Sequence, residues 1–141
     1  MPKKILIADD HYVVKIALAI ILKKLNIPII IDHVKTQNQL INTLKNTKYD
    51  LLILDIRINS KPSIIKKLKQ RNPNLKILIF TDSINEKISL QYIFEGADAF
   101  LDKGSNETKI RNTFHSILTK ENYYSQEFLF HTIKEDPTLC Q

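Results

Sequence analysis

Four short apolar runs in this chain each end on, or just before, a residue able to do chemistry. Asp9 and Asp10 follow Ile5-Leu6-Ile7-Ala8, and Asp55 follows Leu51-Leu52-Ile53-Leu54. Thr81 follows Ile77-Leu78-Ile79-Phe80, and Lys103 stands just beyond Ala97-Asp98-Ala99-Phe100-Leu101. If the runs lie side by side, three carboxylates, a hydroxyl and an ammonium share one rim. Carboxylates gathered this closely repel one another unless a cation sits among them. Oxygen ligation with room left for water and phosphate suits Mg²⁺, and Asp9 and Asp10 are the candidate metal holders. An aspartate can also attack phosphorus to form an aspartyl phosphate, provided the charge of the transferring group is neutralised. Asp55 is the candidate nucleophile, with Lys103 able to pair with a phosphoryl oxygen and Thr81 able to donate a hydrogen bond. Singly, each residue has a blander explanation: Asp10 could cap a helix, Asp55 could open a loop and Lys103 could be solvated. Their convergence carries the reading.

The elements that must bring them together are legible in the apolar pattern. The four runs above and Ile29-Ile30-Ile31 read as five strands. Most are rich in Ile and Leu and nearly continuous, as in parallel strands covered on both faces. Between them lie helical spacings: Val14, Leu18, Ile21, Leu22 and Leu25; Leu40, Ile41 and Leu44; Ile64, Ile65 and Leu68; Ile88, Tyr92 and Ile93; and finally Ile110, Phe114 and Ile117. Strands alternating with helices over short connections predict a doubly wound α/β fold. The expectation is a five-stranded parallel sheet of flavodoxin-like order 2-1-3-4-5 with five helices. In such a sheet the ligand crevice lies beyond the carboxyl ends of the strands, where all five polar residues fall.

Composition narrows the function classes. A chain of 141 residues is the size of one ordinary domain. No apolar run reaches the roughly 20 residues of a membrane span and the N-terminus is unlike a signal peptide, so a cytoplasmic protein without membrane contact is expected. Cys140 is the sole cysteine and reads as a free tail thiol, which leaves no disulfide framework or zinc quartet. The net charge of +6 is spread along the chain. Its one concentration, at Lys61, Lys66, Lys67, Lys69, Arg71 and Lys76, has no interleaved aromatics, so direct nucleic-acid binding is not expected. Gly96 and Gly104 are the only glycines, too few for a Gly-rich phosphate loop. An aspartate-nucleophile hydrolase would need a second acid two residues after Asp55, where Arg57 stands.

Ile7-Ala8-Asp9-Asp10-His11, Leu52-Ile53-Leu54-Asp55, Phe80-Thr81 and Glu95-Gly96-Ala97-Asp98-Ala99-Phe100-Leu101-Asp102-Lys103-Gly104 resemble, in order and near-equal spacing, the receiver domain of two-component response regulators. The resemblance runs from residue 3 to about 120, and it implies a receiver domain over residues 1–120 with 121–141 as a linker or C-terminal tail leading toward an absent output domain. It implies a phosphoacceptor signalling domain rather than an enzyme. Asp55 would take a phosphoryl group from a sensor histidine kinase, and Asp9, Asp10, Asp55 and the main-chain carbonyl of Arg57 would hold Mg²⁺. Thr81 and Lys103 would contact the phosphate. Thr81 and Phe100 would form the switch, the aromatic following the hydroxyl inward. Ala8-Asp9-Asp10-His11, Phe100-Leu101-Asp102-Lys103-Gly104-Ser105 and the tail Glu121-Asn122-Tyr123-Tyr124-Ser125-Gln126-Glu127-Phe128 resemble regulators with a LuxR-type helix-turn-helix output. DNA would then be met only through an output domain beyond Gln141. A chain cut at the linker is expected, with a protein that has lost its effector as the alternative.

Three departures accompany the resemblance. The stretch Ile58-Asn59-Ser60-Lys61-Pro62-Ser63 lacks the family's Met-Pro-Gly, and the interval from Asp55 to Thr81 is about two residues short, so this loop is expected to take its own path. Asp82 replaces the small residue after the hydroxyl; it is expected to cap the fourth helix and face solvent, with Arg57 offsetting its charge. The first helix is apolar all round, which leaves Ile16, Ala19 and Ile20 on an outward stripe. Such a stripe predicts a homodimer through the first helix together with the fifth. The competing reading is a pseudo-receiver, a dimerisation or docking module independent of phosphorylation.

Overall fold

The computed structural model describes residues 1–58, 61–82 and 85–120; the predicted linker 121–141, with Cys140, lies outside them. Five strands alternate with five helices: β1 Lys3–Ala8, α1 Tyr12–Lys23, β2 Ile29–Val34, α2 Gln37–Asn46, β3 Leu51–Leu54, α3 Ser63–Arg71, β4 Lys76–Thr81, α4 Glu86–Phe94, β5 Ala99–Asp102 and α5 Glu107–Thr119. All pairings are parallel, and the order is β2-β1-β3-β4-β5, as expected.

Alternate strand residues build two cores. Ile5, Ile7, Ile53, Leu78 and Phe80 pack with Leu18 and Leu22 of α1 and with Ile110, Phe114 and Ile117 of α5. Leu6, Ala8, Leu52, Leu54, Ile77 and Ile79 pack with Leu40 of α2, Ile65 of α3 and Tyr92 of α4. Continuous Ile/Leu runs are thus the signature of β3 and β4, buried on both faces. The edge strand β2 departs from that expectation. Its residues alternate in burial, Ile30 is exposed, and it continues through Asp32-His33 to Val34, three residues beyond the apolar run.

The other differences lie at element ends. α1 closes at Lys23, with Leu25 buried two residues later, its N–H donating to the Leu22 carbonyl at 3.2 Å. β5 begins at Ala99; just before it, the Asp98 carboxylate accepts the Ile77 N–H at 2.8 Å and pairs with Lys69. Asp82 does not cap α4. Asn85 does, in extended backbone at φ −107° and ψ 130°, accepting the Lys87 N–H at 2.8 Å. Asp10 caps nothing either, since His11 holds the N-cap position of α1.

Candidate functional site

The sheet order reverses between β1 and β3, and the strand ladder is carried one step past the strand ends. The Asp9 N–H donates to the Val34 carbonyl at 3.1 Å, the Asp55 N–H to that of Ala8 at 2.9 Å, and the Lys103 N–H to that of Thr81 at 2.9 Å. Backbone register therefore delivers Asp9, Asp55, Thr81 and Lys103 to one rim. Asp9, Asp55 and Thr81 are almost fully buried there.

Lys103 bridges the carboxylates, its Nζ lying 2.8 Å from Asp9 Oδ2 and 2.8 Å from Asp55 Oδ2. Burial pushes its ammonium down, but the hydrogen bonds and charges of Asp55 and Asp9 outweigh that and hold its pKa above the ordinary lysine value. The second oxygen of Asp55, Oδ1, accepts the Thr81 hydroxyl at 3.2 Å and the Arg57 N–H at 3.0 Å. The latter bond and the Ile58 N–H on the Asp55 carbonyl, 3.1 Å, fold the short loop back over the phosphoacceptor candidate. Asn59 and Ser60 fall outside the described residues. Asp10 is largely exposed and reaches the cluster from the rim.

All five residues expected from the sequence to share a site are brought together, along with Arg57. Phe100, the expected switch aromatic, lies behind them in the core, buried with Leu54, Ile79 and Tyr92. The α1 stripe is also present. Ile16 and Ile20 are 43% and 53% exposed and Ala19 is half-buried, with Tyr12 and Val13 extending the patch to the start of the helix.

The sequence did not assign a part to His11 or Tyr92. His11 Nδ1 lies 2.8 Å from Asp9 Oδ1, 3.2 Å from Asp10 Oδ1 and 3.9 Å from Asp55 Oδ2, while its Nε2 faces Arg57 Nη1 at 3.4 Å. Arg57 in turn reaches Asp82, Nη2 to Oδ2 at 3.6 Å. The available signal was position alone, next to two acids. Tyr92 reads as one more apolar helix position, yet it carries a buried hydroxyl whose pKa is pushed up to about 12, by burial first and by the charge of Asp55 second.

Asp9, Asp10, His11 and Asp55 each place one donor atom within a span of 4.8 Å. A set with three carboxylates and only one nearby ammonium fits a divalent cation.

A family model for the response regulator receiver domain matches residues 5–115. Among curated proteins, the chain is 22% identical over 131 residues to the response regulator protein VraR of Staphylococcus saprophyticus, covering 92% of this chain and 63% of that protein. It is also 22% identical over 130 residues to the Fimbriae Z protein of Escherichia coli K12, covering 91% of this chain and 62% of that one. The chain thus spans a little under two thirds of the length of these relatives. Among solved structures, the isolated REC domain of RcsB from Salmonella enterica serovar Typhimurium with the phosphomimetic BeF3- superposes with a TM-score of 0.79 at 18% identity, over 93% of this chain and 99% of that one. A LuxR-family two-component response regulator from Aurantimonas sp. SI85-9A1 gives 0.79 at 17% identity, over 96% and 98%.

Proposed function

Because the chain belongs to the response regulator receiver domain family, we propose that it accepts a phosphoryl group on Asp55 from a sensor histidine kinase and switches conformation to control a DNA-binding output. The observation that supports this best is the Asp55 carboxylate itself, nearly fully buried yet hydrogen-bonded at both oxygens by Lys103, Thr81 and the Arg57 N–H. In the step proposed, an Asp55 oxygen attacks phosphorus. The bond from phosphorus to the kinase histidine nitrogen breaks, and the electron pair stays on that nitrogen. Lys103 pairs with a phosphoryl oxygen, and the Thr81 hydroxyl leaves the Asp55 carboxylate to donate to another. Asp9, Asp10, Asp55 and the Arg57 main-chain carbonyl are the proposed Mg²⁺ holders; the ion, when bound, neutralises charge on the phosphoryl oxygens.

Thr81 and Phe100, the proposed switch pair, are both buried beside the site. The exposed stripe of Val13, Ile16 and Ile20 supports a homodimer through α1, with α5 packed beside it. The chain is a phosphoacceptor signalling domain in this reading, not an enzyme. The likeness to LuxR-family regulators supports DNA as the target of the proposed output. Among the described residues no helix is long and apolar enough to cross a membrane, in keeping with the proposed cytoplasmic setting.

The test is intact mass after incubation with Mg²⁺ and acetyl phosphate. Wild type is expected to gain one phosphoryl mass and Asp55→Asn none. No gain on wild type would favour the phosphorylation-independent docking module, which the exposed α1 stripe would then explain.

A further inference from the structure

The cations concentrated between Lys61 and Lys76 take no part in the Asp55 site, and α3 carries most of them. With α2 and α4, this helix packs on the core opposite the one built by α1 and α5. A groove of about 960 Å³ is lined by α2 and α3 together. Its floor is apolar: Leu44 of α2 and Ile64 and Leu68 of α3 are buried, with Ile41 half-buried beside them. Its rims are cationic, with Lys45 on α2 and Lys67 and Arg71 on α3, all exposed.

The charge there is one-sided. Neither helix contains an Asp or Glu, and among the described residues no carboxylate lines the groove. Lysines elsewhere are met by acids: Lys24 by Glu107, Lys69 by Asp98, Lys103 by Asp9 and Asp55. Lys45, Lys67 and Arg71 form no ion pair among the described residues. Cations along a concave, apolar-floored cleft add their potentials and attract an anionic partner.

We propose that the α2–α3 groove docks an acidic amphipathic helix of a protein partner, its apolar stripe on the floor and its carboxylates on Lys45, Lys67 and Arg71. A helix about 10 Å across, rising about 1.5 Å per residue, fills about 120 Å³ per residue, so a groove of this size takes about two turns. A nucleic-acid strand gains much of its affinity by stacking bases on aromatic rings, and the lining has none. A second copy seated groove to groove would set cation against cation, whereas glutamates complement them. The partner's anchors then follow the helix-in-groove pattern, apolar residues at i, i+3, i+4 and i+7 with acids on either side. This docking does not depend on phosphorylation of Asp55.

The experiment titrates the whole chain with a fluorescein-labelled peptide of about four helical turns that carries that leucine pattern flanked by glutamates. Anisotropy should show saturable binding in the micromolar range, and amide shift changes in the ¹⁵N spectrum should concentrate on α2 and α3. The double variant Lys67→Glu, Arg71→Glu should bind about tenfold more weakly, from lost attraction and added repulsion at two exposed charges. Its unchanged uptake of one phosphoryl mass from acetyl phosphate would show that it is folded, and an unchanged circular dichroism spectrum shows the same if wild type takes up none. A scrambled peptide of equal composition should also bind more weakly. Equal binding of the scrambled peptide, shift changes elsewhere, or no binding at millimolar peptide overturns the proposal. So does tighter binding of a single-stranded oligonucleotide of equal charge at the same amides, or self-association that covers them without peptide.

Discussion

Lys103 has about a tenth of its side chain exposed and lies within hydrogen-bond reach of two carboxylates that are almost wholly buried. Removing one member of such a cluster costs more than the pairing contributes, because the remaining charges keep their desolvation penalty. Lys103→Met should therefore lower stability by about 3 kcal/mol in chelator-treated protein. A divalent cation should restore part of the loss, read from urea midpoints with and without metal. Tyr92 makes a pH prediction. Its hydroxyl holds its proton to about 12 in the folded chain against 10.0 for the unfolded group. The unfolded state thus releases a proton first, and the stabilisation present below pH 10 is lost as pH rises toward 12. Tyr92→Phe should make the alkaline decline in the urea midpoint shallower; an identical slope would show that the hydroxyl is not protected. Asp9, Asp55, Thr81 and Lys103 were legible in the sequence because register alone places strand ends together. His11 and Tyr92 were not, since their parts depend on where one ring or one hydroxyl turns.

Element cores were readable and element ends were not, for a physical reason. Burial repeats along a strand or helix, so Leu51–Leu54 and the Ile110, Phe114, Ile117 spacing declare themselves. A cap is one residue in one backbone conformation, and the sequence reading gave that role to Asp82. Asn85 takes the role at α4 and leaves Asp82 to the rim and to Arg57. Asn85→Ala should cost about 1 kcal/mol by loss of the cap, and Asp82→Ala less than about 0.5 kcal/mol, since its partner is half exposed. Thermal midpoints of the two variants decide the assignment; a larger loss for Asp82→Ala would reverse it. The edge strand shows the same limit. Ile29-Ile30-Ile31 reads like an inner strand, but only topology reveals that β2 has a neighbour on one side and exposes Ile30.

At the scale of the whole molecule, the α1 stripe sets apolar attraction against charge. Val13 is 75% exposed, Ile16 43% and Ile20 53%, more apolar surface along one helix than a solvated face ordinarily carries. A two-fold contact would place each stripe against its own copy. Lys15 and Lys23 share that helix, and the whole chain carries +6, so the same contact brings like charges together. Salt screens the repulsion and leaves apolar burial intact. The homodimer should therefore tighten as ionic strength rises, the opposite of an interface held by ion pairs. Sedimentation equilibrium from low to high salt reads this directly. Ile16→Glu and Ile20→Glu should each yield monomer at every salt concentration, with the helical circular dichroism signal unchanged because neither side chain belongs to the buried core. A wild-type chain that stays monomeric at high salt, or dimerises equally well with Ile16→Glu, would remove α1 as the contact surface.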